Sequence, residues 1–171
     1  MRANRMMWTA ALVVAGTLAG TRAQAADAIN TDTVVRRVVV SIPDRKLAVV
    51  ENNEVVQVFA VAVGAPNSPS PSGTFTIVNR VANPTYYHPG TVIAPGPQNP
   101  IGTRWIGLNQ KGYGIHGTDQ PSSIGYAKSH GCIRLRNADV ERLFERVRPG
   151  DVVELHAERT AELDQLFSRI Q

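Results

Sequence analysis

The sequence predicts a mainly β domain, built as a sandwich or a barrel-like sheet and accompanied by one or two helices. Short runs rich in β-branched residues recur along the chain, and clusters of proline, glycine and asparagine separate them. Two stretches near the C-terminus place apolar residues at helical spacing. Because neither an internal repeat nor an interior linker is visible, a single domain is expected.

The first half of the domain consists of predicted strands. Residues 34–40 contain five valines, a strong β-branched signal. Residues 47–50 and 55–63 are the next two candidates, and Asn52-Asn53 between them suits a tight hairpin because asparagine tolerates a positive φ. Residues 74–80 return to an alternation of apolar and polar side chains, which predicts a strand with one face towards the core.

The second half mixes an irregular segment with short strands and helices. Residues 83–100 are rich in proline, glycine and tyrosine, and a loop of this length in a compact domain is expected to be ordered and functional. Further strands are predicted at residues 105–108, 113–116 and 152–155. A helix is predicted over residues 138–147, with Asn137 as its cap, and a terminal amphipathic helix over residues 160–170.

Residues 1–25 have the organisation of a secretory signal peptide. Arg2 and Arg5 precede an apolar run, and A-Q-A at residues 23–25 has the small-x-small form of a cleavage site. The run holds roughly 15 residues, fewer than the roughly 20 that a spanning helix needs, so a cleaved leader is favoured over a membrane anchor. We therefore expect export to the periplasm or cell wall, with no membrane span after cleavage.

The predicted leader also defines the domain organisation and the charge. A short lead-in at residues 26–33 precedes the domain at residues 34–157, and the C-terminal helix occupies residues 158–171. The formal net charge of +4 falls by three when the leader arginines are removed. No block of lysine and arginine marks a nucleic-acid surface, so a nucleic-acid partner is not expected.

Cys132 is the only cysteine in the chain and stands in the segment S-H-G-C-I-R-L. Outside the cytoplasm disulfides are favoured, but a lone thiol cannot form one within its own chain. A small buried hydrophobe is one interpretation of this residue, since free cysteine is often buried. A reactive thiol is the favoured interpretation, because an unpaired cysteine is unusual in an exported protein.

Either of two histidines is a candidate base for that thiol. His130 lies two positions before Cys132, and His116 ends a different predicted strand, from which it can approach across the sheet. Such a partner is expected to make the thiol reactive below its ordinary pKa. The backbone N–H groups of Gly131 and Cys132 are candidate donors to an oxyanion. Zinc held by the two histidines and the thiolate is a further alternative.

Two motifs resemble the catalytic signature of the YkuD-type L,D-transpeptidases. I-H-G-T is followed by S-H-G-C-I-R-L, and twelve residues separate His116 from Ser129, at the short end for that family. The segments P-S-G-T-F-T-I and P-G-P-Q-N-P-I-G-T-R-W-I-G-L are also similar to family segments, as are N-A-D-V-E-R-L-F and P-G-D-V-V-E-L. The resemblance covers residues 34–156 and implies a YkuD-like, mainly β domain with one helix beside the active-site strand and a C-terminal helix.

The resemblance also implies roles for the motif residues. Cys132 matches the nucleophile and His116 the proton acceptor and donor, with its ring oriented by the Gly117 carbonyl. His130 matches a supporting histidine, and a purely structural, hydrogen-bonding histidine is the alternative. Ser129 is expected to make a structural hydrogen bond.

Five residues are candidates for substrate binding. Arg134 either binds a substrate carboxylate or amide or ties down its loop, and we favour the loop. Tyr86, Tyr87, His88 and Trp105 are candidates for the groove lining, although for each of them a core or surface position is the favoured interpretation. Neither a cofactor nor a metal is expected.

The implied reaction is acyl transfer on peptidoglycan. The enzyme attacks the L,D bond after meso-diaminopimelate in a tetrapeptide stem, releases D-alanine and passes the acyl group to an amine. That amine belongs to another stem, a lipoprotein lysine or a D-amino acid, and carbapenems are implied as covalent inhibitors. The alternatives are an L,D-carboxypeptidase or cross-link hydrolase of the same fold, and a non-enzymatic wall-binding module, which would need neither Cys132 nor His116.

Overall fold

The computed structural model describes residues 34–168, so the predicted signal peptide and lead-in, and residues 169–171 of the predicted C-terminal helix, lie outside the described residues. Within that range the chain forms twelve strands and two α-helices. The strands are β1 (Arg36–Ser41), β2 (Lys46–Glu51), β3 (Glu54–Ala60), β4 (Val63–Gly64), β5 (Gly73–Ala82), β6 (Tyr86–His88), β7 (Thr91–Ile93), β8 (Arg104–Leu108), β9 (Gly114–His116), β10 (Ala127–Ser129), β11 (Ile133–Arg134) and β12 (Val152–His156). The helices are α1 (Asn137–Arg146) and α2 (Ala161–Ser168).

Eight of these strands form one sheet, in the order β11-β9-β8-β5-β12-β1-β2-β3. The pairs β1–β12 and β9–β11 are parallel, and the other pairs of this sheet are antiparallel. Two small sheets, β4–β10 and β6–β7, complete the described strands. The predicted mainly β class with two helices is confirmed.

The sheet is buried on both faces over the inner parts of β1 and β2, which explains the apolar runs at residues 38–40 and 47–50. Val38 and Val40 enter the hydrophobic cluster that contains Leu143 of α1. Val39, between them, enters the cluster that contains Leu163 of α2. Because neighbouring residues of a strand point to opposite faces, a sheet covered on both sides requires apolar residues at every position. The two helices therefore stabilise opposite faces of one sheet.

The turn between β2 and β3 is formed by the asparagine pair that the sequence singled out. Asn52 and Asn53 have φ values of 50° and 66°, the left-handed conformation that a tight antiparallel hairpin requires. Within residues 34–168, neither helix has the length and apolar character required to cross a bilayer.

The proline-rich segment that was predicted to be irregular contains the hairpin β6–β7. Its base is held by Asn99, whose side chain is buried. The Asn99 amide nitrogen lies 2.8 Å from the Pro84 carbonyl oxygen, 3.3 Å from that of Ile93 and 3.2 Å from that of Ala94. One side chain therefore joins the chain that enters the hairpin to the chain that leaves it, and the segment is ordered.

Helix α1 begins where the sequence predicts, but Asn137 does not cap it. Arg136 occupies the cap position, without a side-chain hydrogen bond to the helix. The Asn137 side-chain oxygen instead accepts the N–H groups of Thr103, at 3.2 Å, and of Thr118, at 3.1 Å. The Asn137 side chain therefore bonds to two distant loops and not to its own helix, and the local sequence does not predict these contacts.

Candidate active site

Three neighbouring strands place Trp105, His116 and Arg134 in one row across the sheet. Trp105 of β8 is the register partner of His116 in β9, and His116 is the partner of Arg134 in β11. Paired residues project their side chains from the same face of a sheet, so the indole, imidazole and guanidinium stand side by side. Val81 of β5 pairs with Trp105 and extends the row.

The His116 ring is held by contacts on two sides. Its Nδ1 lies 2.5 Å from the Gly117 carbonyl oxygen, the contact that the family resemblance implies. The Trp105 ring stacks on it, with centroids 5.7 Å apart and planes inclined by 19°. A carbonyl oxygen can only accept, so Nδ1 carries the proton in the neutral ring, and Nε2 is left as a proton acceptor.

Burial makes His116 a neutral base. Only 4% of the residue is exposed, and desolvation lowers the pKa of His116 to about 4, helped by the positive charge of Arg134 and opposed by the Gly117 hydrogen bond. At neutral pH the imidazole is therefore uncharged and ready to receive a proton.

Cys132 lies in the turn between β10 and β11, with its side chain only partly exposed. Its thiol donates to the Gly112 carbonyl oxygen over 3.5 Å. Burial raises the pKa of Cys132, and a backbone hydrogen bond with Gly114 and the charge of Arg134 act in the opposite direction. This direction is opposite to the expectation from sequence, and both the Cys132 thiol and the His116 imidazole are neutral at rest.

The turn that carries Cys132 is built around Ser129 and Gly131. The buried Ser129 hydroxyl donates to the Cys132 carbonyl oxygen over 2.5 Å and accepts the Gly131 N–H over 3.1 Å. Gly131 has a φ of 110°, and a β-carbon there would lie 2.7 Å from a ring carbon of Tyr113. Only glycine fits this position. Ser129 thus makes structural hydrogen bonds.

One oxyanion prediction requires correction. The Gly131 N–H is already bonded to Ser129, so it is not available to an oxyanion in this conformation. The Cys132 N–H meets no hydrogen-bond acceptor within residues 34–168, and it remains the candidate donor.

Asn137, which the sequence treated as a helix cap, fixes the chain that follows His116. Its side-chain oxygen accepts the Thr118 N–H and sits where a β-carbon on Gly102 or Gly117 would lie. Close approach by the side chain therefore requires glycine at both positions. Through this contact Asn137 holds the backbone whose Gly117 carbonyl orients His116. No motif in the sequence signals this role.

The candidate catalytic residues face one cavity of about 860 Å³. Cys132, His116, Ser129 and His130 line it. All five substrate-binding candidates line it as well, namely Arg134, Trp105, Tyr86, Tyr87 and His88. The sequence analysis missed several other lining residues, namely Val81, Asn83, Pro84, Thr85, Pro100, Ile101, Gly112 and Gln120. Four of these eight residues lie in residues 83–100, the segment that the sequence predicts to be a functional loop. That prediction is the only sequence signal that pointed to these four.

The contacts bear on three alternatives left open by the sequence. His130 is exposed, and its ring makes no hydrogen bond within residues 34–168, so no contact there supports the structural, hydrogen-bonding role. The Arg134 side chain makes neither a hydrogen bond nor an ion pair in that part of the chain, so it does not tie down its loop. No group of three or more metal-ligating side chains forms among the described residues, which leaves the zinc alternative without a ligand set.

Comparisons with known proteins identify the family and the fold of this chain. The family model described as YkuD, the L,D-transpeptidase catalytic domain, matches residues 35–155. The chain is 40% identical over 126 residues to a Bacillus licheniformis protein named as the L,D-transpeptidase YkuD, an alignment that covers 74% of this chain and 68% of that protein.

Solved structures give the same fold. An L,D-transpeptidase from Mycobacterium smegmatis superposes with a TM-score of 0.62 at 23% identity, covering 72% of this chain and 59% of that one. The LD transpeptidase LdtMt1 in complex with imipenem gives a TM-score of 0.61 at 23% identity, with the same coverage of 72% and 59%. The chain thus spans about three fifths of the length of these structures. Since the family model covers nearly the whole described domain, and the Bacillus alignment extends over two thirds of both proteins, the chain belongs to the YkuD family of L,D-transpeptidase catalytic domains.

Proposed function

We propose that this chain is an exported L,D-transpeptidase that acts on peptidoglycan peptide stems, with Cys132 as its nucleophile. The observation that carries the proposal is the cavity that holds Cys132 together with His116, an imidazole whose hydrogen bond to Gly117 leaves Nε2 to accept a proton. Membership of the L,D-transpeptidase family supports the same chemistry.

In the first half-reaction Cys132 Sγ attacks the carbonyl carbon of the bond between meso-diaminopimelate and D-alanine. His116 Nε2 takes the thiol proton as the carbon–sulfur bond forms, since both groups are neutral at rest. The Cys132 N–H is the donor available to the developing oxyanion. When the carbon–nitrogen bond breaks, the imidazolium returns the proton to the amine of D-alanine, and a thioester remains on Cys132.

In the second half-reaction an acceptor amine attacks the thioester carbonyl carbon. His116 takes a proton from that amine, the carbon–sulfur bond breaks, and the proton passes back to the Cys132 thiolate. The acceptor is the diaminopimelate amine of a second stem, a free D-amino acid or a lysine of a wall-anchored lipoprotein. Transfer to water by the same steps would make the protein a hydrolase.

Mass spectrometry of the protein and of its products tests the proposal. After incubation with disaccharide-tetrapeptides, we expect an acyl-enzyme on the wild type, released D-alanine and a cross-linked dimer. Cys132→Ala, which changes only the reactive atom, should give none of these. A trimmed stem without dimer would assign the hydrolase activity, and unchanged substrate without an acyl-enzyme would contradict the proposal.

A carbapenem gives a second test of the nucleophile. The fold neighbour LdtMt1 is known as a complex with imipenem. We expect imipenem to add one adduct per chain of this protein, at Cys132, and to leave Cys132→Ala unmodified. An adduct that persists on the Ala variant would move the reactive group to another residue.

Export to the periplasm or cell wall is the remaining part of the proposal. It rests on the signal-peptide pattern of residues 1–25. N-terminal sequencing of the protein recovered from an expressing bacterium should find a mature chain that begins near Ala26. A chain that retains Met1 in the cytoplasmic fraction would contradict export.

A further inference from the structure

Arg134 differs from the other half-buried arginines of the described chain in having no partner. Arg36 pairs with Glu51 at 2.9 Å and Arg37 with Glu154 at 3.0 Å. The remaining two, Arg80 and Arg104, donate to backbone carbonyl oxygens. The Arg134 guanidinium makes no such contact within residues 34–168. Its Nε is buried without an acceptor, as are those of Arg80 and Arg104, but it alone of the three has no other nitrogen bonded to a carbonyl oxygen there. A buried donor without an acceptor is unfavourable, so a ligand that accepts a hydrogen bond from this guanidinium would remove that cost.

The backbone fixes this guanidinium beside the reacting groups. The Arg134 N–H donates to the Ala62 carbonyl oxygen over 2.9 Å, and the Ala62 N–H donates to the Arg134 carbonyl oxygen over 2.9 Å. On the other side Arg134 is the register partner of His116. It lies two residues after Cys132 and lines the same cavity. Its position is thus determined by β-pairing on both sides.

The charge of the cavity favours an anionic ligand. Among the described residues that line it, none is aspartate or glutamate, and Arg134 is the single arginine or lysine. His116 adds no charge at neutral pH, because burial lowers its pKa to about 4. A carboxylate that enters this cavity therefore meets one uncompensated cation, whose planar fork matches its two oxygens.

We propose that Arg134 binds a free carboxylate of the acyl donor next to the scissile amide, and that the site thereby selects donors with this group unamidated. The inference rests on the proposed function, which supplies two such carboxylates: that of the terminal D-alanine and that on the side chain of diaminopimelate. An amide in the same place could not form two charge-assisted bonds, and it would direct an N–H group at the guanidinium.

Donors amidated at one carboxylate at a time distinguish the two sources. D-alanine release is measured for the free tetrapeptide, the D-alaninamide form and the diaminopimelate-amide form. For the wild type we expect amidation at the recognised carboxylate to lower kcat/KM about 10- to 100-fold, mainly through KM. In Arg134→Gln the same amidation should change kcat/KM less than about 3-fold, and Arg134→Lys should lie between.

Controls separate recognition from folding. Arg159→Gln removes an exposed arginine outside the cavity that pairs with Asp44, and it should keep the full discrimination of the wild type. Thermal unfolding of each variant establishes that it is folded. If Arg134→Gln does not fold, the comparison between wild type and Arg134→Lys decides. An amidation penalty that is the same in wild type and variant, or no penalty at either position, would overturn the proposal.

Binding to Cys132→Ala separates failure of this inference from failure of the proposed reaction. Calorimetry on that variant should show weaker binding of the amidated donor, and the difference should vanish when Arg134→Gln is added. If no donor acylates the wild type but this binding difference is present, the reaction is wrong and the carboxylate site stands. If donors acylate the enzyme and the difference is absent, the reaction stands and the carboxylate site is wrong.

Discussion

The eight-stranded sheet divides into two ends of four strands each, one from β12 to β3 and the other from β11 to β5, and they differ in the pairing of their polar side chains. At the first end, arginines are matched by acids: Arg36 contacts Glu51 and Asp151, and Arg37 contacts Glu154. At the second end, polar atoms are buried without a partner. All four such side-chain atoms among residues 34–168 lie in or next to these strands, and they belong to Arg80, Thr103, Arg104 and Arg134.

The apolar packing is also uneven. Strands β1 and β2 are covered on both faces by the clusters that α1 and α2 complete. The other end leaves one face of Trp105, His116 and Arg134 open to the cavity. A sheet can hold buried, unpaired groups at one end only when packing at the other end supplies the stability. The comparison therefore separates a stabilising end from a reactive end.

The largest effect is expected when the reactive end loses its base. His116→Gln removes the proton acceptor, and we expect the acylation rate to fall by a factor of about 10² to 10⁴. His156→Gln, at the stabilising end and outside the cavity, is the matched control and should react as the wild type does. Single-turnover acylation measures both. If His130→Gln loses the rate and His116→Gln keeps it, the base has been misassigned.

Acid should weaken the fold through the same histidine. The pKa of His116 is about 4 in the folded state, against about 6.5 when exposed in the unfolded chain. The unfolded state thus binds the proton first, and stability falls as the pH drops from about 6.5 to about 4, by about 3 kcal/mol. Urea unfolding at several pH values, compared with His116→Gln, isolates this contribution. Equal pH dependence in both proteins would contradict it.

Asn137 and Asn109 provide a smaller test, because both accept backbone N–H groups. Asn137→Ala leaves the half-buried N–H groups of Thr103 and Thr118 without their acceptor, which costs about 1–3 kcal/mol. Asn109→Ala removes one exposed contact to the Thr76 N–H and should cost less than about 1 kcal/mol. Urea unfolding of both variants measures the difference. Equal losses would mean that the loop contacts of Asn137 contribute no more than a surface turn.

The smallest effect is expected for an ion pair at the stabilising end. Glu162 is 75% exposed, and its carboxylate lies 3.7 Å from the Arg37 guanidinium. Glu162→Gln should change the free energy of unfolding by less than about 0.5 kcal/mol, since water screens such a pair. Thermal unfolding at low and high salt measures it. A loss above about 1 kcal/mol would show that surface charge, and not apolar packing, stabilises this end.

The sequence correctly predicts those elements whose structure depends on residues that are close together in the chain. The valines of β1, the asparagine turn and the two helices follow from patterns a few residues long, and the structure contains them all. Strands β4, β10 and β11 were missed because two or three residues carry no period, and their pairing comes from distant parts of the chain.

Within the site, the cavity brings together the residues that the motifs singled out, but their physical state depends on the fold. The raised pKa of the Cys132 thiol follows from burial, which no motif encodes. The contacts of Asn137 join loops that are 19 and 34 residues away. That Arg134 has no partner within residues 34–168 depends on all of its neighbours in space, so sequence alone does not predict it.

The β6–β7 hairpin, part of which lines the cavity, has a base held by Asn99 and an exposed tip. The Asn99 amide clamps the carbonyls at the base of the hairpin, whereas Tyr87 and Val92 near the tip are 74% and 68% exposed. Substitutions at the tip can accumulate without loosening the base, since exposed positions tolerate change. We therefore expect a substitution of Tyr87 to change the lining of the cavity without changing the contacts of Asn99 or the positions of Cys132 and His116.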